Sequence, residues 1–176
     1  MKRTGLLRRL SKITPFHLRK SLYFGLIQSA IDYWGSTTVS NIDKVYKLQK
    51  RAMRVVLGVA FDCPSHFIFD AMNVLSVRQR IVYFTCVLVF KCLEGNAPSY
   101  LTNNFYAMNQ VHDYQTRAAA NQVLQTPIFR SGNGQRSFNM RGVRLWNTLP
   151  THIKNSTSLP IFKRLLITFI KTNVDK

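Results

Sequence analysis

Apolar residues recur at helical spacing through most of this chain, in segments divided by short stretches rich in Gly, Pro, Ser and Asn. The first such segment, residues 5–13, has cations on its outer side and four apolar residues on one face: Leu6, Leu7, Leu10 and Ile13. Thr14-Pro15 is then a helix start signal, because proline suits the first helical position. The period continues to about Tyr33, so we predict helices over residues 5–13 and 16–33.

The most strongly patterned segment runs from Ser40 to Gly58. Ser40 and Asn41 are candidate N-caps, and Gly58 suits the left-handed conformation that ends many helices. At 100° per residue, the apolar residues share one side of the predicted helix: Ile42, Val45, Leu48, Ala52, Val55 and Val56. The pattern predicts a helix that packs this side against the rest of the protein.

Five cations form a second stripe on the same helix, roughly opposite the apolar side: Lys44, Lys47, Lys50, Arg51 and Arg54. We call these five residues the basic stripe. Asp43 is the one acid in the segment, and we expect it to pair with Lys47 at i+4. The stripe predicts a surface that carries no packing and faces an anionic partner, and the alternative is an ordinary solvated helix face.

Two helices are predicted in the middle of the chain. A short one follows Asp62 or Ser65 as the capping residue. A longer one runs from Val77 to Glu94, capped by Ser76 and ended by Gly95. Its centre is apolar nearly all round, which predicts burial.

The last third of the chain combines extended and helical patterns. Residues 115–134 contain Pro127 and two glycines, which favours extended chain or a weak hairpin. A helix is predicted over residues 137–147, stopped by Pro150, and another after Ser158 as its cap. The apolar residues on one side of this last helix are Leu159, Phe162, Leu165, Leu166 and Phe169.

These elements predict a mainly α fold in which charge marks three regions. Residues 1–58 form a basic three-helix bundle, residues 59–112 a neutral apolar helical region, and residues 113–176 a basic C-terminal region with the short extended or hairpin segment. Residues 1–54 hold twelve Lys or Arg against two Asp, and residues 113–176 hold ten against two. Two basic blocks therefore flank a neutral, apolar middle.

The net charge of +18 and the isoelectric point near 10.5 point to a polyanionic partner. Nucleic acid is the first candidate, and an anionic membrane surface is the alternative. Three cysteines without framework spacing indicate a reducing compartment, and the opening residues do not resemble a signal peptide. We therefore expect an intracellular protein, of the nucleus or the cytoplasm.

Catalytic and metal chemistry finds little support in the residues. Only seven acids are present, and the closest pair, Asp62 and Asp70, suits capping and surface positions better than Mg²⁺ ligation. Cys63 and His66 lack a second ligand pair at zinc-site spacing. We expect no catalytic residue, metal, cofactor or small-molecule substrate.

Arginines recur in the C-terminal region, beside Tyr114, Phe129, Phe138 and Trp146: Arg117, Arg130, Arg136, Arg141 and Arg144. Arginine forks suit phosphate, and neighbouring aromatic residues suit base or sugar contacts. We take Arg117, Arg130, Arg141 and Arg144 as nucleic-acid-binding candidates, together with the basic stripe. The alternative is that the aromatic residues anchor a core and the arginines line its rim.

Several short motifs, taken together in their order, cover nearly the whole chain. The most specific is Arg141-Gly142-x-x-Leu145-Trp146-Asn147-x-Leu149-Pro150, followed by Ser158 and Phe162-Lys163. The others are Leu22-Tyr23, Ile27-x-Ser29-x-Ile31-x-Tyr33-Trp34, Leu48-Gln49-Lys50-Arg51-Ala52-x-Arg54 ending at Gly58, Lys91 with Gly95, Pro98-x-Tyr100-Leu101, and Tyr114-x-Thr116-Arg117 with Pro127 and Arg130. Together they resemble the region downstream of the polymerase core in jockey-like non-LTR retrotransposon reverse transcriptases.

The resemblance implies that residues 1–58 form a thumb-like bundle, which in polymerases grips the template–primer duplex, followed by a helical extension. The Tyr/Phe-Ala-Asp-Asp motif of the family's palm is absent from this sequence. The resemblance therefore implies a non-catalytic fragment whose partners are RNA, an RNA–DNA or DNA duplex, and a polymerase palm domain.

Overall fold

The computed structural model describes residues 2–29, 38–108 and 122–173, and over these residues the chain is mainly helical, as predicted. It forms two compact units, Met1–Ile81 and Val82–Lys176. The boundaries predicted at residues 58 and 112 follow charge, whereas packing divides the chain after Ile81.

The first unit contains five helical elements within its described residues: α1 (Lys2–Leu10), α2 (Phe16–Tyr23) with a π-helical turn (Phe24–Gln28), α3 (Val39–Leu57), α4 (Ser65–Met72) and the start of α5 (Val77–Leu93). Helices α1, α2 and α3 pack against one another, and α4 packs against α3. The part of the second predicted helix at residues 30–33 lies outside the described residues.

The first predicted apolar face is wrong in part. Helix α1 ends at Leu10, and only Leu7 of its face is fully buried. Ile13 lies in the turn beyond the helix and is 80% exposed, and Leu6 is 46% exposed. The helical period continues past Leu10 in the sequence, but the chain turns there because it must reach α2.

The buried side of α3 is rotated relative to the prediction. Four residues are fully buried, Gln49, Ala52, Met53 and Val56, whereas the predicted Ile42, Val45, Leu48 and Val55 are half-buried. A polar residue thus lies at the centre of the bundle. Burial of a glutamine is tolerable only when its amide is fully hydrogen-bonded.

Gln49 meets that condition through three elements. Its Nε2 donates to the Tyr23 hydroxyl on α2 at 3.1 Å and to the Leu75 carbonyl at 3.1 Å. Its Oε1 accepts from the Val77 amide at 2.9 Å, at the first residue of α5. The Tyr23 hydroxyl donates in turn to Gln28 Oε1 at 2.8 Å. Gln49 therefore joins α2, α3 and the start of α5 in one buried network.

Helix ends agree with the sequence signals at some positions and differ at others. Ser76 caps α5 as predicted: its hydroxyl accepts from the Gln79 amide while the Gln79 side chain accepts from the Ser76 amide. Gly58 and Gly95 follow α3 and α5 in the left-handed conformation, as predicted. The predicted caps Ser40 or Asn41 and Asp62 or Ser65 are wrong, since α3 begins after Thr38 and α4 after Pro64.

Within its described residues, the second unit contains the rest of α5 and five further helices: α6 (Ser99–Thr102), α7 (Gly132–Gln135), α8 (Phe138–Thr148), α9 (Thr151–Lys154) and α10 (Leu159–Asn173). Its core includes a stack of Phe90, Phe162 and Trp146, with ring centroids 4.4 and 5.9 Å apart. Helix α10 buries Phe162, Leu166 and Ile170, while the predicted Leu159, Leu165 and Phe169 are only half-buried.

The segment predicted to be extended is described from residue 122 onward. It makes an isolated antiparallel bridge between Ala107 and Leu124, and the Met108 and Gln125 amides donate across it. The predicted residues 115–121 lie outside the described residues.

Candidate nucleic-acid interface

Three members of the basic stripe project from α3 into solvent. Lys44, Lys47 and Arg51 are exposed, and their spacing of three and four residues places them on one face of the helix. The distance along the helix axis from Lys44 to Arg51 is about 10 Å at ~1.5 Å per residue. These three side chains form a short, linear cationic surface on a helix whose other side is anchored by the buried core.

The other two members contact protein. Lys50 is half-buried, with its Nζ 4.5 Å from the centre of the Tyr46 ring. Arg54 is half-buried and donates to the Cys63 carbonyl from Nη2 at 2.6 Å and from Nε at 3.3 Å. The prediction that the outer face carries no packing is therefore wrong at these two positions, because long cationic side chains can pack their stems and donors against neighbouring structure.

The acid of this segment does not oppose the stripe. Asp43 pairs with Arg78 of α5 at 2.6 Å instead of with the predicted Lys47. Both partners are about half exposed, so the pair contributes little stability. The Asp43 carboxylate is thus directed to Arg78 of α5 and not along α3 to Lys47.

The loop after α3 is fastened at both ends by one residue. The Arg54 carbonyl accepts from the amides of Gly58 and Val59, in the left-handed helix ending that Gly58 permits with φ +70°. The Arg54 side chain holds the Cys63 carbonyl at the far end of the same loop. Between these anchors the loop presents Phe61, which is 72% exposed.

Phe61 forms one wall of a groove between α1 and α3, which we call the α1–α3 groove. Its volume is about 480 Å³, and its lining residues are Arg8, Ser11, Arg51, Arg54, Val55, Gly58, Val59 and Phe61. The guanidinium carbons of Arg51 and Arg54 lie 6.0 and 5.6 Å from the centre of the Phe61 ring. Sequence reasoning missed this groove, because Arg8 and Phe61 are far apart in the chain and Phe61 belongs to no periodic pattern.

The C-terminal arginines differ in accessibility. Arg130 and Arg144 are exposed, whereas Arg141 is half-buried and burial lowers the pKa of its guanidinium. Arg136, also exposed, donates to Asn133 Oδ1 at 2.6 Å. Arg117 lies outside the described residues. Arg130 and Arg144 thus remain the more accessible candidates in this unit.

The most specific motif of the sequence, Arg141 to Pro150, has structural roles in the second unit. Trp146 is 2% exposed and donates from Nε1 to the Gln122 carbonyl at 3.1 Å. The Asn147 side chain accepts at Oδ1 from the Leu124 backbone amide at 2.9 Å, and its Nδ2 donates to the Leu124 carbonyl at 3.0 Å. A Cβ at Gly142 would lie 2.8 Å from Val89 Cγ2. The motif therefore packs α8 and holds an extended segment, and Trp146 is a core residue.

Within the described ranges, no group of three or more His, Cys, Asp or Glu side chains is placed to hold a metal ion. No single helix in the described part of the chain is both long and apolar enough to cross a bilayer, although α4 and α5 taken together, across a 50° bend, pass the same test.

Comparison of the chain with protein-family models, with curated proteins and with solved structures found no match.

Proposed function

We propose that this chain is a non-catalytic nucleic-acid-binding fragment of a retrotransposon reverse transcriptase, in which the α1–α3 bundle acts as a thumb-like grip on a template–primer duplex. The resemblance of the sequence motifs supports the family, and the charge of the first unit supports the ligand. The expected partners are the backbone of RNA or of an RNA–DNA or DNA duplex, and a polymerase palm domain supplied by another segment.

The observation that carries this proposal is the exposed row of Lys44, Lys47 and Arg51 on α3. Three cations in a line of about 10 Å suit consecutive phosphates of one strand, which follow one another at ~3.4 Å along the duplex axis. The row is held in place because the opposite side of α3 is fixed by Gln49 and the apolar core. Fixed cations of this kind position a duplex without reading its sequence.

The test is a binding titration with a double variant, Lys44→Gln/Lys47→Gln, on a labelled duplex. At about 0.15 M salt, the loss of two phosphate contacts lowers affinity on the order of 30-fold, and the loss is similar for unrelated duplex sequences. Both side chains are exposed, so we expect unchanged helix content by circular dichroism.

A matched control removes the same charge elsewhere. Arg130→Gln/Arg144→Gln lowers the net charge by the same two units at the other candidate site. Because Arg144 lies on α8 and Arg130 outside the helices, the two arginines do not share a helix face, and we expect a smaller loss of affinity. The reverse result, with the large loss in the control, would locate the interface at the C-terminal arginines. Tighter binding to anionic vesicles than to duplex would favour the membrane alternative.

A further inference from the structure

We propose that the α1–α3 groove holds one unpaired nucleotide, with its base stacked on Phe61 and its phosphate at Arg8 and Arg51. This inference rests on the proposed function, because it gives the basic stripe a second type of nucleic-acid contact. It adds a preference for a strand that leaves the duplex.

Phe61 has the properties of a stacking residue and lacks those of a core residue. It is 72% exposed, yet the loop that carries it is fastened at both ends by Arg54. A rigidly presented aromatic ring is a platform on which a base of any identity stacks. The guanidinium groups of Arg51 and Arg54, 6.0 and 5.6 Å from the ring centre, add the planar cations that favour the same ligand.

The remaining walls of the groove suit a phosphate. Arg8 and Arg51 are exposed and approach from α1 and α3, and none of the described lining residues is acidic. Arg19 adds positive charge at the C-terminal end of α3. Its Nη1 lies beside Gly58, 3.6 Å from the position that a Cβ on this glycine would take. The volume of about 480 Å³ falls within the ~300–1,000 Å³ typical of sites for small organic ligands.

The ring selects for an unpaired nucleotide because bases inside a duplex already stack on each other. A base from a single strand or a frayed end, unlike one in the interior of a duplex, can present its face to a side chain. Arg51 belongs both to the exposed row on α3 and to the groove, so a strand held at Lys44 and Lys47 continues directly to Phe61. The groove therefore lies where a strand emerges from the gripped duplex.

The test compares a blunt duplex with the same duplex carrying a short unpaired tail at either end, titrated against the full chain at fixed salt. Stacking of one base makes the wild type bind one of the tailed probes more tightly, roughly 5- to 100-fold. Phe61→Leu abolishes this preference and leaves affinity for the blunt duplex within about twofold, because the leucine keeps an apolar side chain but removes the ring. Phe61→Trp keeps the preference, and tail binding changes the fluorescence of the new indole.

Lys44→Gln/Lys47→Gln separates this inference from the proposed function. We expect it to weaken binding of blunt and tailed probes by the same factor and to leave their ratio unchanged. Equal affinity of the wild type for all probes, or a Phe61→Leu variant that keeps the tail preference, would overturn the groove proposal while leaving the grip intact. A wild type that binds no probe at low salt would overturn both.

Discussion

Replacing Gln49 by leucine should destabilise the first unit far more than its modest change in size suggests. The variant removes the two donors and one acceptor that join Tyr23, Leu75 and Val77. Two buried backbone groups lose their partner at about 1–3 kcal/mol each, and the Tyr23 hydroxyl loses a bond of about 1 kcal/mol. Burial of the more apolar leucine offsets about 2 kcal/mol of this loss. The expected net destabilisation is about 1–5 kcal/mol, centred near 3 kcal/mol.

The measurement is urea unfolding followed by circular dichroism, with Gln135→Leu as the control for the same change at an exposed position. A loss of about 3 kcal/mol lowers the urea midpoint by about 1–3 M, whereas the control should stay within about 0.5 kcal/mol of wild type. If the Gln49→Leu variant were as stable as the control, the hydrogen bonds of Gln49 would not be what stabilises the first unit at this position.

Gln49→Glu tests the same network through pH. A carboxyl buried among these partners has its pKa raised above the unfolded value, because burial disfavours the charged form and the Leu75 carbonyl requires a donor. The folded variant therefore binds a proton more tightly than the unfolded chain. Its stability should be greatest below about pH 4 and fall as pH rises towards neutrality. Wild-type stability at the same pH values is the reference, and a parallel pH dependence would contradict the prediction.

Three further predictions concern packing, the extended segment and thiol reactivity. Gly142→Ala should destabilise the second unit by about 1–3 kcal/mol in thermal or urea unfolding, because its Cβ would lie 2.8 Å from a buried valine methyl, whereas Gly132→Ala, with open space, should be near neutral. Asn147→Asp should cost a similar amount above pH 5, since a carboxylate cannot donate to the carbonyl it faces, and an unfolding midpoint equal to wild type would contradict this. Burial raises the pKa of the Cys86 thiol to about 12, so mass spectrometry should find native alkylation at pH 8 on half-buried Cys63 and not on Cys86.

The sequence predicted the type of most elements, because helical spacing and terminal signals are local. Ser76 with Gln79, and Gly58 with its left-handed φ, are features that neighbouring residues determine almost alone. The face of α3 was harder to predict. A helical wheel places Gln49 between the apolar Ile42 and Val56, but a glutamine side chain is usually exposed. Only the contacts with Tyr23 and Val77, more than twenty residues away in the chain, explain its burial.

In the candidate site, too, some features follow from neighbouring residues and others depend on contacts between distant parts of the chain. The exposure of Lys44 and Lys47 follows from the position of these residues opposite the apolar side of the helix. That Arg54 would fasten a loop, or that Asp43 would turn to Arg78, depends on where α4 and α5 lie. Phe61 and Arg8 meet only because α1 packs on α3, so no local pattern could have predicted the groove.

The grip of the exposed row on phosphate is tested most directly by the salt dependence of duplex binding. For the wild type, log affinity should fall linearly with log salt concentration. Lys44→Gln/Lys47→Gln should reduce the magnitude of this slope by about 1.8, because each lost phosphate contact removes about 0.9. The affinities of the two proteins should converge near 1 M salt. A variant whose slope equals that of the wild type would contradict the account, since Lys44 and Lys47 would then displace no counterions from the duplex.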